Sequence, residues 1–120
     1  MLIVTTEAVA GHDVVETKGE CFGIVVRSRG ALPNIAAGLR SIFGGEITQY
    51  TRMLEDTRRE ALNRLGANAA AMGANAVVMM RFDSSEIAET MSEVVAYGTA
   101  VVVRPRAGSS PATSPWAAAS

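Results

Sequence analysis

Five side chains that can ligate a metal ion lie within ten residues of one another near the start of the chain: His12, Asp13, Glu16, Glu20 and Cys21. Imidazole, thiolate and carboxylate groups are ligands for zinc and related transition metals. A structural zinc site normally takes four Cys or His ligands, and this chain has one of each. The alternative interpretation is a polar turn with one exposed histidine and a cysteine buried in a strand.

Methionine and glycine residues offer two other kinds of binding chemistry. Thioether sulfur can ligate copper(I), although a helical stripe and an apolar strand also explain the methionines as core residues. Gly44-Gly45 precedes a helix, whose N-terminal amides can hold an anion. However, Glu46 already places a negative charge there, and a joint between two helices explains both glycines. An anion or small-ligand site at this joint would use Arg40, Tyr50 and Arg81.

The sequence excludes the commonest enzyme classes and favours a soluble binding protein. It has no nucleophile elbow, Walker loop or HExxH motif, so we predict no enzymatic activity. A net charge of −1 gives no basic stripe for nucleic acid. Because the first residues do not resemble a secretory signal and no apolar run approaches about 18 residues, we expect a cytoplasmic location and no membrane contact. A single cysteine fits a reducing compartment.

Alternating and helical patterns predict four strands and two helices. Strands are expected over residues 2–6, 14–28, 75–83 and 94–104, with a polar hairpin connection over 84–93. Within the second strand, Phe22, Ile24 and Val26 should face away from Cys21 and Val25. A short helix is predicted to begin at Pro33, and a long one to span residues 46–72, with Leu54, Ala61 and Leu65 on its apolar stripe. Gly73 should close the long helix.

These elements predict an α+β fold with a small four-stranded sheet, a short and a long helix on one face, and the order β-β-α-α-β-β. Since two helices cover only one face, we expect the other face to lie in an oligomer contact. Residues 1–105 should form one domain. Residues 106–120, rich in Ser, Ala and Pro, should form a flexible tail, in which Trp116 either docks on a partner or is incidental.

The segments LRSIFGGEITQY, LGANAAAMGANAVVMMRFD and AYGTAVVV, in this order, resemble the YbjQ-like family over roughly residues 1–104. The family label is "putative heavy-metal-binding protein". Arg40 and Tyr50 match its motif. The chain departs from the common pattern at two places: Glu46 stands where many members carry Arg, and Met79-Met80 replace Gly-Val.

The resemblance implies a ring-shaped homopentamer, with the chain itself as its partner. The label makes His12, Asp13, Glu16 and Cys21 the candidate metal ligands and implies a divalent transition metal, whose identity the sequence does not give. One Cys per subunit on a fivefold axis suits no four-coordinate ion, so a site between neighbouring subunits is expected. The function implied is binding of a heavy-metal ion or small ligand at subunit interfaces. The alternative is a structural or interaction module without a ligand.

Overall fold

The protein folds as a mixed four-stranded sheet with one long helix on its inner face. The computed structural model describes residues 1–28, 45–88 and 91–107, without the side chains of residues 28, 45–47, 49 and 50. The elements are β1 (Leu2–Ile3), β2 (His12–Ser28), α1 (Gly45–Ala71), β3 (Ala76–Ala88) and β4 (Met91–Pro105). The strand order is β1-β3-β4-β2, with β1 parallel to β3 and the other pairs antiparallel.

This architecture confirms the predicted α+β class, the four-stranded sheet and the long helix on one face. The short helix predicted to begin at Pro33 lies outside the described residues, and so does most of the predicted tail. The structure thus gives the order β-β-α-β-β for the part of the chain that it describes, where the prediction had two consecutive helices.

The helix α1 contacts the sheet through a stripe of buried side chains spaced four residues apart: Thr57, Ala61, Leu65 and Ala69. The Thr57 hydroxyl donates to the Met53 carbonyl at 2.9 Å, which satisfies this buried polar group. Leu54, predicted to lie on the stripe, is 55% exposed instead. The predicted bounds of 46–72 agree with the observed helix to within one residue at each end.

The C-terminus of α1 is closed by Gly73, as the sequence predicts. Gly73 has φ 85°, a left-handed conformation that glycine adopts readily. Its amide donates to Ala70 O at 2.9 Å, and the Ala74 amide donates to Ala69 O at 3.1 Å. These are the two hydrogen bonds of a Schellman motif, and they turn the chain directly into β3.

The inner face of the sheet and α1 share the main hydrophobic core. Cys21, Val25, Val77, Ala96 and Ala100 supply the sheet side of this core. Gly23 lies on the same face, and a Cβ there would overlap the Ala61 carbonyl oxygen and the Leu65 amide nitrogen. The backbone of α1 therefore packs directly against the backbone of β2 at Gly23.

The outer face of the sheet is covered along only part of its length. Residues 4–10 cross it after β1, where Val4 and Val9 pack with a second core cluster formed by Ala76, Val78, Val101 and Val103. Sequence reasoning assigned this whole face to an oligomer contact. The structure shows instead that the chain covers one end of it with its own N-terminal segment.

The strands β3 and β4 depart from the prediction in length and regularity. Their pairing includes Ser84 opposite Val94 and Glu86 opposite Ser92, so the expected polar hairpin connection is mostly strand. Polar residues suit the β3 side of this pair, which is exposed over residues 83–88, whereas residues 92–95 of β4 are half-buried. The register shifts between Val78 and Arg81, and within this bulge Met79 has φ 56°. Left-handed backbone favours glycine, the residue that the family resemblance gives to this position.

We predict that Gly23→Ala destabilises the protein by at least about 1–3 kcal/mol, because the added methyl forces α1 away from β2. Gly66→Ala is the matched control within the interface of α1. An added Cβ there meets Met1 and Ile3 side chains at 3.5–3.7 Å, an ordinary contact, so the variant should gain up to about 1 kcal/mol from helix propensity. Urea unfolding measures both. Equal stabilities for the two variants would contradict the direct backbone contact.

We also predict that Met79→Gly stabilises the protein by about 0.5–1 kcal/mol, because it relieves a left-handed backbone at a half-exposed side chain. Met80→Gly is the control, since Met80 packs against the inner core and its loss should destabilise. Thermal unfolding of the two variants distinguishes them. A loss of stability in Met79→Gly would contradict the strain assigned to the bulge.

Candidate functional site

Three of the predicted metal ligands lie at the beginning of β2, and each has a local polar partner. His12 Nδ1 is 2.9 Å from Ala10 O. Asp13 Oδ1 accepts from Arg106 Nε at 3.1 Å, and Glu16 Oε1 accepts from Lys18 Nζ at 2.7 Å. All three carboxylate or imidazole groups are accessible to solvent, which a site between subunits requires.

The fourth predicted ligand, Cys21, lies far from the others. Nine positions along β2 separate it from His12, which corresponds to about 25–30 Å at roughly 3.3 Å per residue. Its side chain faces the inner core and is 3% exposed, with Sγ 3.8 Å from Gly98 O. Among the described residues, no group of three or more His, Cys, Asp or Glu side chains is arranged to hold a metal ion. One chain thus does not bring the four candidates together.

The residues predicted for an anion or small-ligand site are only partly described. Arg40 and the side chain of Tyr50 lie outside the described residues. Arg81 is on β3, where its Nη1 donates to Thr5 O at 2.9 Å and to Met80 O at 2.8 Å. This guanidinium therefore ties the N-terminal segment to the β3 bulge, a structural role that sequence reasoning did not identify.

An open cleft of about 630 Å³ lies between the C-terminal half of α1 and the outer edge of β2. It is lined by Glu20, Cys21, Phe22, Ile24, Arg64, Ala67, Asn68 and Met72. Burial raises the pKa of the Cys21 thiol, because an apolar environment disfavours the thiolate. The thiol is consequently protonated at neutral pH, and a metal ion would have to displace this proton to bind sulfur.

The methionines considered as copper(I) ligands or core residues lie in two environments. Met72 and Met80 pack against the inner core, as the core-packing interpretation predicts. Met79 and Met91 are exposed, and Met53 is half-buried. Core packing therefore accounts for some of these methionines and not for all of them.

The outer face of the sheet carries a group of exposed apolar side chains, here called the outer patch: Phe22, Ile24, Val26 and Tyr97. Each is between 40 and 49% exposed. Phe22 and Tyr97 are directly paired across β2 and β4, so the patch spans two strands. The alternating pattern of β2 predicted which of its side chains share this face. Large apolar patches are uncommon on monomers and mark contacts with other molecules.

Comparisons with known proteins converge on one family. The YbjQ family model, whose description is "Putative heavy-metal-binding", matches residues 1–104. A UPF0145 protein of Bradyrhizobium sp. (strain ORS 278) is 64% identical over 105 residues, which cover 88% of this chain and 95% of that protein. A UPF0145 protein of Methanoregula boonei is 54% identical over 108 residues, covering 90% of each chain.

A solved structure shows the same fold. It is the crystal structure of a protein of unknown function from Pediococcus pentosaceus, assigned to the DUF74 family, with a TM-score of 0.57 and 16% sequence identity. The match covers 87% of this chain and 98% of the other. Among the described residues of this chain, no helix is both long and apolar enough to cross a membrane.

We predict that Cys21 in the native protein reacts with iodoacetamide at pH 8 at least about tenfold more slowly than in the urea-unfolded chain, since burial and a raised pKa both limit the thiolate. The same raised pKa implies that stability falls as the pH rises above 9.0, the ordinary value for the thiol, because the unfolded chain then loses this proton first. Cys21→Ala should show a smaller alkaline loss of stability. Equal labelling rates of the native and unfolded chains would contradict the buried position.

Proposed function

Because this chain belongs to the YbjQ-like family, described as "Putative heavy-metal-binding", we propose that it is a ring-forming protein that holds a heavy-metal ion or small ligand between subunits. The proposal assigns the chain no catalytic step. It retains the predicted cytoplasmic location and the absence of a nucleic-acid partner, supported by the net charge of −1 and the single cysteine.

The outer patch is the observation that best supports the proposed assembly. Its side chains are exposed on the sheet face that α1 does not cover, while the chain's own N-terminal segment covers only the opposite end of that face. A second copy that covers Phe22, Ile24, Val26 and Tyr97 would remove this apolar area from water, at about 25 cal/mol per Å². Ring closure then requires that the patch meet a different surface of the neighbour.

The arrangement of the ligand candidates supports a site between subunits. His12, Asp13 and Glu16 lie on β2, which has a strand partner on only one side among the described residues. A neighbouring copy that approaches this edge could add its own imidazole or carboxylates to those of the first copy. Cys21 would join such a site only through the cleft beside α1 and after losing its proton.

Native mass spectrometry in the presence of Zn²⁺, Cu²⁺ or Ni²⁺ tests both parts of the proposal. We expect the wild-type protein to appear as a ring of 12.6 kDa chains with retained metal. Val26→Asp should reduce the mass to that of one chain, because a buried unpaired carboxylate is costly at a subunit contact. His12→Ala should keep the assembled mass and lose metal.

Leu54→Asp is the matched control for the assembly. Leu54 is an apolar side chain of similar exposure, 55% against 48% for Val26, but it lies on α1, outside both the outer patch and the part of β2 that carries the candidate ligands. It should leave the assembled mass unchanged. A monomeric wild-type protein without metal would contradict the whole proposal. A ring that retains no metal would contradict the proposed metal binding and favour the alternative, a structural module without a ligand.

A further inference from the structure

Two side chains of α1 form hydrogen bonds to backbone carbonyls at the outer edge of β2. Asn68 Nδ2 donates to Phe22 O at 2.6 Å, and Arg64 Nη1 donates to Ile24 O at 2.6 Å. Asn68 and Arg64 are four residues apart and so lie on the same side of the helix. Both acceptors are backbone carbonyls of a strand that is last in the order β1-β3-β4-β2.

The two carbonyls belong to the outward-facing backbone N–H and C=O groups of β2, with which an additional strand would have to form hydrogen bonds. In an antiparallel pair, alternate residues direct both N–H and C=O away from the partner strand. Phe22 and Ile24 are two residues apart and their carbonyls point away from β4, so both residues present their backbone groups to the outside. Any strand that paired with β2 here would have to replace Asn68 and Arg64 as hydrogen-bond partners.

The segment at this edge is suited to unwanted pairing. Residues 21–26, CFGIVV, form six consecutive positions without a charge or a proline, and three of them are β-branched. Short uncharged segments of this kind pair readily with copies of themselves when they lie on an exposed edge. Charged side chains and covering groups are the usual protection.

The guanidinium that covers Ile24 O is held in place by a further contact. Arg64 Nη2 binds Glu60 Oε1 at 2.8 Å, and the other oxygen of Glu60 binds Arg27 Nη2 at 2.6 Å. Because Arg27 is itself a residue of β2, this network joins the helix to the same strand at Ile24 and again three residues further on. Arg64 is thereby oriented across the edge.

We propose that Asn68 and Arg64 act as an edge guard, which prevents the 21–26 segment of β2 from pairing with a strand of a second copy. Along the 21–26 segment, the guard leaves only the face of the sheet for association. It goes beyond the proposed function, since it holds whether or not the protein binds a metal. Loss of the guard should add strand pairing between copies to whatever assembly the wild-type protein forms.

The test compares Arg64→Ala/Asn68→Ala with Arg59→Ala/Asn63→Ala in the full-length protein. The control pair has the same residue types at exposed positions of α1, with no hydrogen bond to β2 in the described part of the chain. Light scattering after size exclusion should show at least a twofold higher mass for the guard variant than for wild type. Hydrogen exchange of the Phe22 and Ile24 amides should slow in the heavier species, because these groups become paired.

Two single variants complete the test. Arg64→Lys retains a donor and should keep the wild-type mass. If the double variant does not fold, the single Asn68→Ala variant decides the question by the same two measurements, because Asn68 is exposed and its truncation leaves the core intact. A folded guard variant with the mass of wild type and no slowing of exchange at residues 21–26 would overturn the proposal. So would an equal rise in mass for the control pair.

Discussion

The rest of the structure depends on the direct contact between the backbone of α1 and the backbone of β2 at Gly23. This contact is possible because the inner core consists of small side chains, among them Ala61, Ala69, Ala96 and Ala100. With few aromatic residues to separate the layers, the helix approaches the sheet closely and buries its whole inner face. A single added methyl at Gly23 would separate the two layers.

The close approach also determines which surfaces remain available. It brings Asn68 and Arg64 within hydrogen-bond distance of the β2 edge, so this edge is covered by the same helix that covers the inner face. The alternation of β2 directs Phe22, Ile24 and Val26 to the outer face, where α1 cannot reach them. Within one chain, the helix covers the inner face and the 21–26 part of the β2 edge, and the outer patch stays exposed.

Local patterns in the sequence predicted the elements well, but not the contacts between distant segments. The period of α1, Gly73 as its end and the alternation of Phe22, Ile24 and Val26 all depend on neighbours in the chain. By contrast, the cover that residues 4–10 provide and the hydrogen bond from Arg81 to Thr5 join segments more than 60 residues apart. The metal candidates failed to meet within one chain for a simpler reason: an extended strand holds His12 and Cys21 far apart.

The central claim is that a second copy covers the outer patch. Hydroxyl-radical footprinting of the wild-type protein tests it without any substitution, with Leu54 as the internal reference because it is 55% exposed on α1. Aromatic side chains that are exposed to a similar degree should be labelled at least as readily as leucine. We expect Phe22 and Tyr97 to be labelled much less than Leu54 and to become reactive on dilution. Strong labelling of both aromatic residues at every concentration would contradict the account.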